Sequence, residues 1–146
     1  MGASLKHKLI NMFREIILYH SSSLAFRAKL LTLLVVGNGD RINECEEEKL
    51  QEIAQKMYPD DYDRAQVLIE AVHEFYDKIT ESNNLVYDSL IQSIEKDVQE
   101  NPRFVHKIDT QLFSILKECI DDEEERIFHD RILSFFENLK DEYGEL

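Results

Sequence analysis

Glycine and proline are scarce, with four glycines and two prolines in 146 residues, well below the roughly one residue in eight of ordinary globular chains. Turn-dense all-β and collagen-like architectures need far more of both, so helices are the default. No apolar run approaches the roughly 18 to 20 residues needed to cross a bilayer, and no apolar stretch near the start leads to a small-residue cleavage site. A soluble, cytoplasmic protein is the expectation. Met1-Gly2 opens as a myristoylation signal does, but Lys6 stands where that signal requires Ser or Thr. Cysteine is also sparse. Cys45 and Cys119 are too far apart for a CxxC pair and neither has His or Cys partners at zinc spacing, which excludes zinc-finger and thioredoxin-like readings. Reduced thiols are expected, although sequence spacing leaves open whether the two meet in space.

Basic charge is in deficit, with 17 Lys and Arg against 30 Asp and Glu and a formal net charge of -13. The imbalance is uneven. Residues 1–36 carry Lys6, Lys8, Arg14, Arg27 and Lys29 against Glu15, a net of +4, which leaves -17 on the other 110 residues. A phosphate backbone is repelled by a field of that sign, so no nucleic acid is expected as a partner. Residues 5–20 place Leu5, Leu9, Met12, Phe13, Ile16 and Ile17 at three- and four-residue intervals between basic side chains, the pattern of an amphipathic helix. Such a helix suits peripheral attachment to a membrane surface, the first position of a bundle, or the acidic body of a second copy in a homodimer.

After Ser21-Ser22-Ser23, Leu24 to Val36 is almost continuously apolar and reads as a helix at the centre of a bundle. Gly37-Asn38-Gly39-Asp40-Arg41 holds half of the glycine and reads as a tight loop. Asn43 with Glu46 forms a capping-box pattern that opens a helix to about Met57, stopped before Pro59. Ala65, Leu68, Val72, Phe75 and Ile79 mark the buried stripe of the next helix, which ends at Ser82-Asn83-Asn84. Leu85 to Glu100 follows with Val86, Leu90, Ile94 and Val98, and Asn101-Pro102 starts another helix through Phe104, Val105, Ile108, Leu112, Ile115 and Leu116. Asp122 to Tyr143 is the last, with Ile127, Phe128, Ile132, Phe135, Phe136 and Leu139 inward. No segment alternates with the period of a strand. The fold class is therefore all-α: one bundle of about seven helices over residues 1–146, made of a basic amphipathic piece at 1–23 and an acidic body at 24–146. Leu30, Leu31, Leu33 and Leu34 echo Leu112, Phe113, Ile115 and Leu116, and Ile42, Asn43, Leu50, Ala54 and Met57 echo Ile120, Asp121, Phe128, Ile132 and Phe135. This is the pattern of a twofold repeat of helix-loop-helix units.

The loop after the central helix gathers Asn38, Asp40, Asn43, Glu44 and Glu46, hard oxygen donors of the kind that hold divalent cations. An EF-hand register with Glu46 at its twelfth position puts Val35, Gly37 and Gly39 at the first, third and fifth, so that motif is excluded. The other reading is that these side chains shape the loop and cap a helix. An apolar helix, a Gly/Asp loop, an isoleucine, a cap and a glutamate, as in Leu30-Leu31 and then Gly39-Asp40-Arg41-Ile42-Asn43-Glu44-Cys45-Glu46, resembles the TerB-like family, related to tellurite-resistance protein B and the N-terminal domain of DjlA. The family pattern has Asp-Gly where this chain has Gly39-Asp40, and Ser or Thr where it has Asn43. The second family element falls at Ile120-Asp121-Asp122-Glu123-Glu124, without its glycine. The resemblance spans roughly residues 24 to 140. It implies a roughly twofold-repeated helical bundle, a bacterial cytoplasmic setting with membrane-proximal partners, and divalent-cation binding, in a family not known as a set of enzymes. The positions carried over for that cation are Asp40 and Glu46, with Asp121 and Glu124 following from the echo.

Glu70-Ala71-Val72-His73 has the Glu-x-x-His spacing of carboxylate-bridged metalloenzymes. Those sites need a second copy, and no other histidine has a glutamate three residues before it. A solvated face is the simpler reading. There is no nucleophile elbow and no phosphate-cradling loop, so no catalytic residue is named. The leading expectation is a non-enzymatic, TerB-like interaction domain with a divalent cation. The alternatives are a metal-independent acidic adaptor and a carboxylate-bundle metalloenzyme.

Overall fold

The computed structural model describes residues 22–36, 41–81 and 84–144. The expected helix over 5–20, the Gly37–Asp40 loop and the Ser82-Asn83 turn lie outside the described residues, as does the side chain of Val86. Helices account for the architecture, and among the described residues there is no strand. In chain order they are α1 (Ser23–Val35), α2 (Glu44–Met57), α3 (Tyr62–Glu81), α4 (Asn84–Glu100), a 3-10 helix (Pro102–Lys107), α5 (Thr110–Phe113), a second 3-10 helix (Ser114–Cys119) and α6 (Glu123–Tyr143).

Helix α1 is the axis of the bundle. Ser22 caps it, its hydroxyl accepting the Ala25 N–H at 3.0 Å, the usual way of satisfying an orphan donor at a helix start. Ala25, Phe26, Leu30, Leu33 and Leu34 have no exposed surface, so the helix is covered on every side. Helices α3 and α4, the first 3-10 helix and α6 all pack on it. Phe26 meets Phe104 of that 3-10 helix with ring centroids 5.1 Å apart, and Phe113 of α5 meets Phe136 of α6 edge to face at 6.1 Å. Pairs of this kind are worth about 0.5–1.5 kcal/mol beyond the area they bury. Thr32 lies inside this apolar helix because its hydroxyl donates to the Ala28 carbonyl at 2.7 Å, removing the cost of an unpaired buried donor.

Two expectations need correction. The helix expected from Pro102 through Leu116 is three short pieces: Ile108 is extended, and Asp109 then caps α5, its carboxylate accepting the Leu112 N–H at 3.0 Å. Aspartate prefers a cap to a helix interior because its side chain competes for backbone donors. The twofold echo is therefore inexact, since the partner of α1 is largely 3-10 and rises about 2.0 Å per residue instead of 1.5 Å. Ile127, expected inward, is 46% exposed. The buried line of α6 runs through His129, Ile132, Phe136 and Leu139, and Ile127 falls on the opposite side at about 100° per residue.

One charged pair lies in the core. Lys29 of α1 is 7% exposed and Asp97 of α4 is 4% exposed, and Lys29 Nζ donates to Asp97 Oδ2 at 2.6 Å. Removing one partner strands a buried charge, whereas removing both does not. Asp97→Ala is expected to lower unfolding stability in urea by about 3–5 kcal/mol, while Lys29→Met with Asp97→Leu holds or exceeds the parent value. Equal stability of Asp97→Ala and the parent would show that the pair is not buried as described.

Candidate functional site

The start of α2 is built by local capping. Asn43 Oδ1 accepts the Glu46 N–H at 2.8 Å, and Glu46 Oε1 accepts the Asn43 N–H at 3.0 Å, the reciprocal capping box that the spacing predicts. Glu46 is fully buried in doing so. Its carboxylate therefore closes the helix start, in keeping with the helix-capping reading of the loop. The start of α6 has a side-chain cap in one direction only, with Asp122 Oδ2 accepting the Glu125 N–H at 3.1 Å and Glu123, Glu124 and Glu125 in the first turn, where helix-end charge favours them.

Cys45, in the first turn of α2, is joined by a disulfide to Cys119, the last residue of the second 3-10 helix, with a sequence separation of 74 and 5.6 Å between Cα atoms. The expectation of reduced thiols is overturned. Spacing along the chain could not show it, because the pair is made by packing α2 against the 3-10 helix. Lys49, one turn on from Cys45, reinforces the junction through Glu118 at 2.8 Å, and that hydrogen bond raises the Lys49 pKa above its ordinary value. Leu116 and Ile120 anchor the other side in the core, and Arg126 donates to the Ile120 carbonyl at 3.4 Å.

The four candidate metal positions fall differently. Asp40 lies outside the described residues. Glu46 is buried in the capping box, and Asp121 and Glu124 are exposed at the start of α6. The bridge thus draws together the two segments on which the sequence echo rests, with Glu44 and Glu48 exposed on one side and Asp121 to Glu124 on the other. Among the described residues no group of three or more His, Cys, Asp or Glu is placed to hold a metal ion. Glu70 is exposed, and His73 reaches across to pair with Glu47 of α2, so this spacing serves helix contact.

His129 is a residue that sequence reading passed over. It is fully buried, and neither ring nitrogen makes a hydrogen bond, although the Leu34 carbonyl lies near. Its place at the head of the His129, Ile132, Phe136, Leu139 spacing was the available signal. Burial, then the nearby Lys117 ammonium, lowers its pKa. Lys117 is itself 2.7 Å from Asp130 and holds that carboxyl below the ordinary range.

No family model, no curated protein and no solved structure matches the chain.

Two outcomes follow from this geometry. Closing so long a loop restricts the unfolded chain, so reduction, or Cys45→Ala with Cys119→Ala, is expected to lower stability by up to about 4 kcal/mol; denatured, unreduced protein should take up no thiol-alkylating reagent. Because His129 titrates lower in the folded state than its unfolded value of about 6.5, its neutral form is favoured by folding. Stability is full above that pH and falls as pH drops below it. His129→Leu should remove this part of the pH dependence and raise stability by about 1–3 kcal/mol, as read by urea titrations at stepped pH.

Proposed function

We propose that the chain is a non-enzymatic, TerB-like interaction domain of a bacterial stress or envelope system, which presents the junction of its two acidic segments to a protein partner and takes a divalent cation at Asp40. The observation that supports this reading is the Cys45–Cys119 bridge, because it joins the two segments whose residues carry the resemblance. Asp121 and Glu124 are exposed beside that junction and carry further oxygen donors, while Glu46 fixes the start of α2. The bridge also favours an oxidising envelope compartment over a reducing cytoplasm. The acidic surface favours a basic partner, with binding that weakens as salt rises.

A metal-independent acidic adaptor is the second reading, favoured by the structural use of Glu46. Thermal unfolding of chelator-stripped protein against calcium, magnesium, manganese and zinc separates the two. A ligand that binds only the folded state adds about 2.7 kcal/mol at a hundred times its Kd. The proposal expects a saturable rise in Tm for one of these cations that Asp40→Ala removes. A flat response to all four leaves the adaptor reading.

A further inference from the structure

The Cys45–Cys119 bridge is within reach of solvent, because both cysteines are only half-buried and Glu44, Glu48, Glu118 and Asp121 around them are exposed. Its two sulfurs stand in unlike surroundings. Cys45 lies in the first turn of α2, where the backbone N–H groups of a helix start favour a thiolate. Of the other carboxylates in that turn, Glu46 is engaged in the capping box and Glu47 pairs with His73, which leaves Glu44 to oppose the helix end. Cys119 closes the second 3-10 helix, at the end where carbonyl groups disfavour negative charge. A disulfide is cleaved faster when the departing sulfur is the better thiolate, so Cys119 is the natural point of attack. The two segments are also joined without their sulfurs, since Lys49 binds Glu118 at 2.8 Å and Leu116 and Ile120 sit in the core. Thiols made by reduction are therefore kept close.

We propose that the Cys45–Cys119 bridge is a thiol–disulfide exchange site for a dithiol of neutral or positive charge, attacked at Cys119 Sγ with Cys45 as the departing thiolate. The thiolate of the reductant bonds to Cys119 Sγ, and the electron pair of the broken S–S bond goes to Cys45 Sγ, which takes up a proton. The second thiol of the reductant then loses its proton and attacks its own sulfur in the mixed disulfide, releasing Cys119 as a thiolate that is protonated in turn. Two electrons and two protons pass to the chain, and the dithiol leaves as a disulfide. The exposed carboxylates beside the bridge repel anionic thiols and admit neutral or cationic ones. The step needs no cation at Asp40.

Reduction of the folded full chain by dithiothreitol, stopped with N-ethylmaleimide and read by mass, tests this. The rate is expected to rise in proportion to dithiothreitol and to stay level when about 1 M urea is added, as for attack on the native state. A rate that climbs with urea, the mark of a bridge opened only by unfolding, overturns the proposal. With 2-mercaptoethanol in place of the dithiol, the mixed disulfide should sit on Cys119 and the maleimide on Cys45, by roughly threefold or more over the opposite placement. An even split, or the opposite placement in excess, overturns it. At equal thiolate concentration 3-mercaptopropionate should react slower than 2-mercaptoethanol by about threefold or more, a gap that closes in about 1 M salt. Equal rates of the two thiols at low salt overturn it as well.

Discussion

A helix without a polar face must be covered on every side, and α1 is such a helix, with ten of its thirteen residues buried. Burial of apolar surface is worth about 25 cal/mol per Å², so leaving any side of α1 open would forfeit several kcal/mol. The rest of the fold follows from that requirement. Helices α3 and α4, the first 3-10 helix and α6 each present an apolar stripe to it, and each has a polar outer side because it is covered on one face only.

Polar groups enter this core only on terms that physical chemistry sets. Thr32 satisfies its hydroxyl on its own helix. Glu46 spends its carboxylate on a helix start, and Lys29 is neutralised by Asp97 across two helices. His129 is the exception: neither ring nitrogen makes a hydrogen bond, and burial lowers its pKa. A buried ion pair is weak evidence for stability.

The acidic surface is mostly what helices of this composition produce: Glu44, Glu47, Glu123, Glu124 and Glu125 stand in first turns, where the helix dipole favours them. What distinguishes the junction at Cys45 and Cys119 is that the start of α2 is tied to the end of the second 3-10 helix, just before α6 begins. Helix α2 and α6 both pack on that 3-10 helix.

By itself the sequence determined the helical class, the central place of α1, both helix starts at Asn43 and Asp122, and the stop before Pro59. These depend on residues three or four apart, whose relations the helix fixes locally. Even the break at Asp109 had a local cause, the preference of aspartate for a cap. Tertiary structure alone decided that Lys29 pairs with Asp97, 68 residues away, and that Cys45 meets Cys119, 74 positions on. The reason is common to both. Contacts between distant residues depend on the rotation and offset of whole packed helices, and no single helix carries that information in its own spacing.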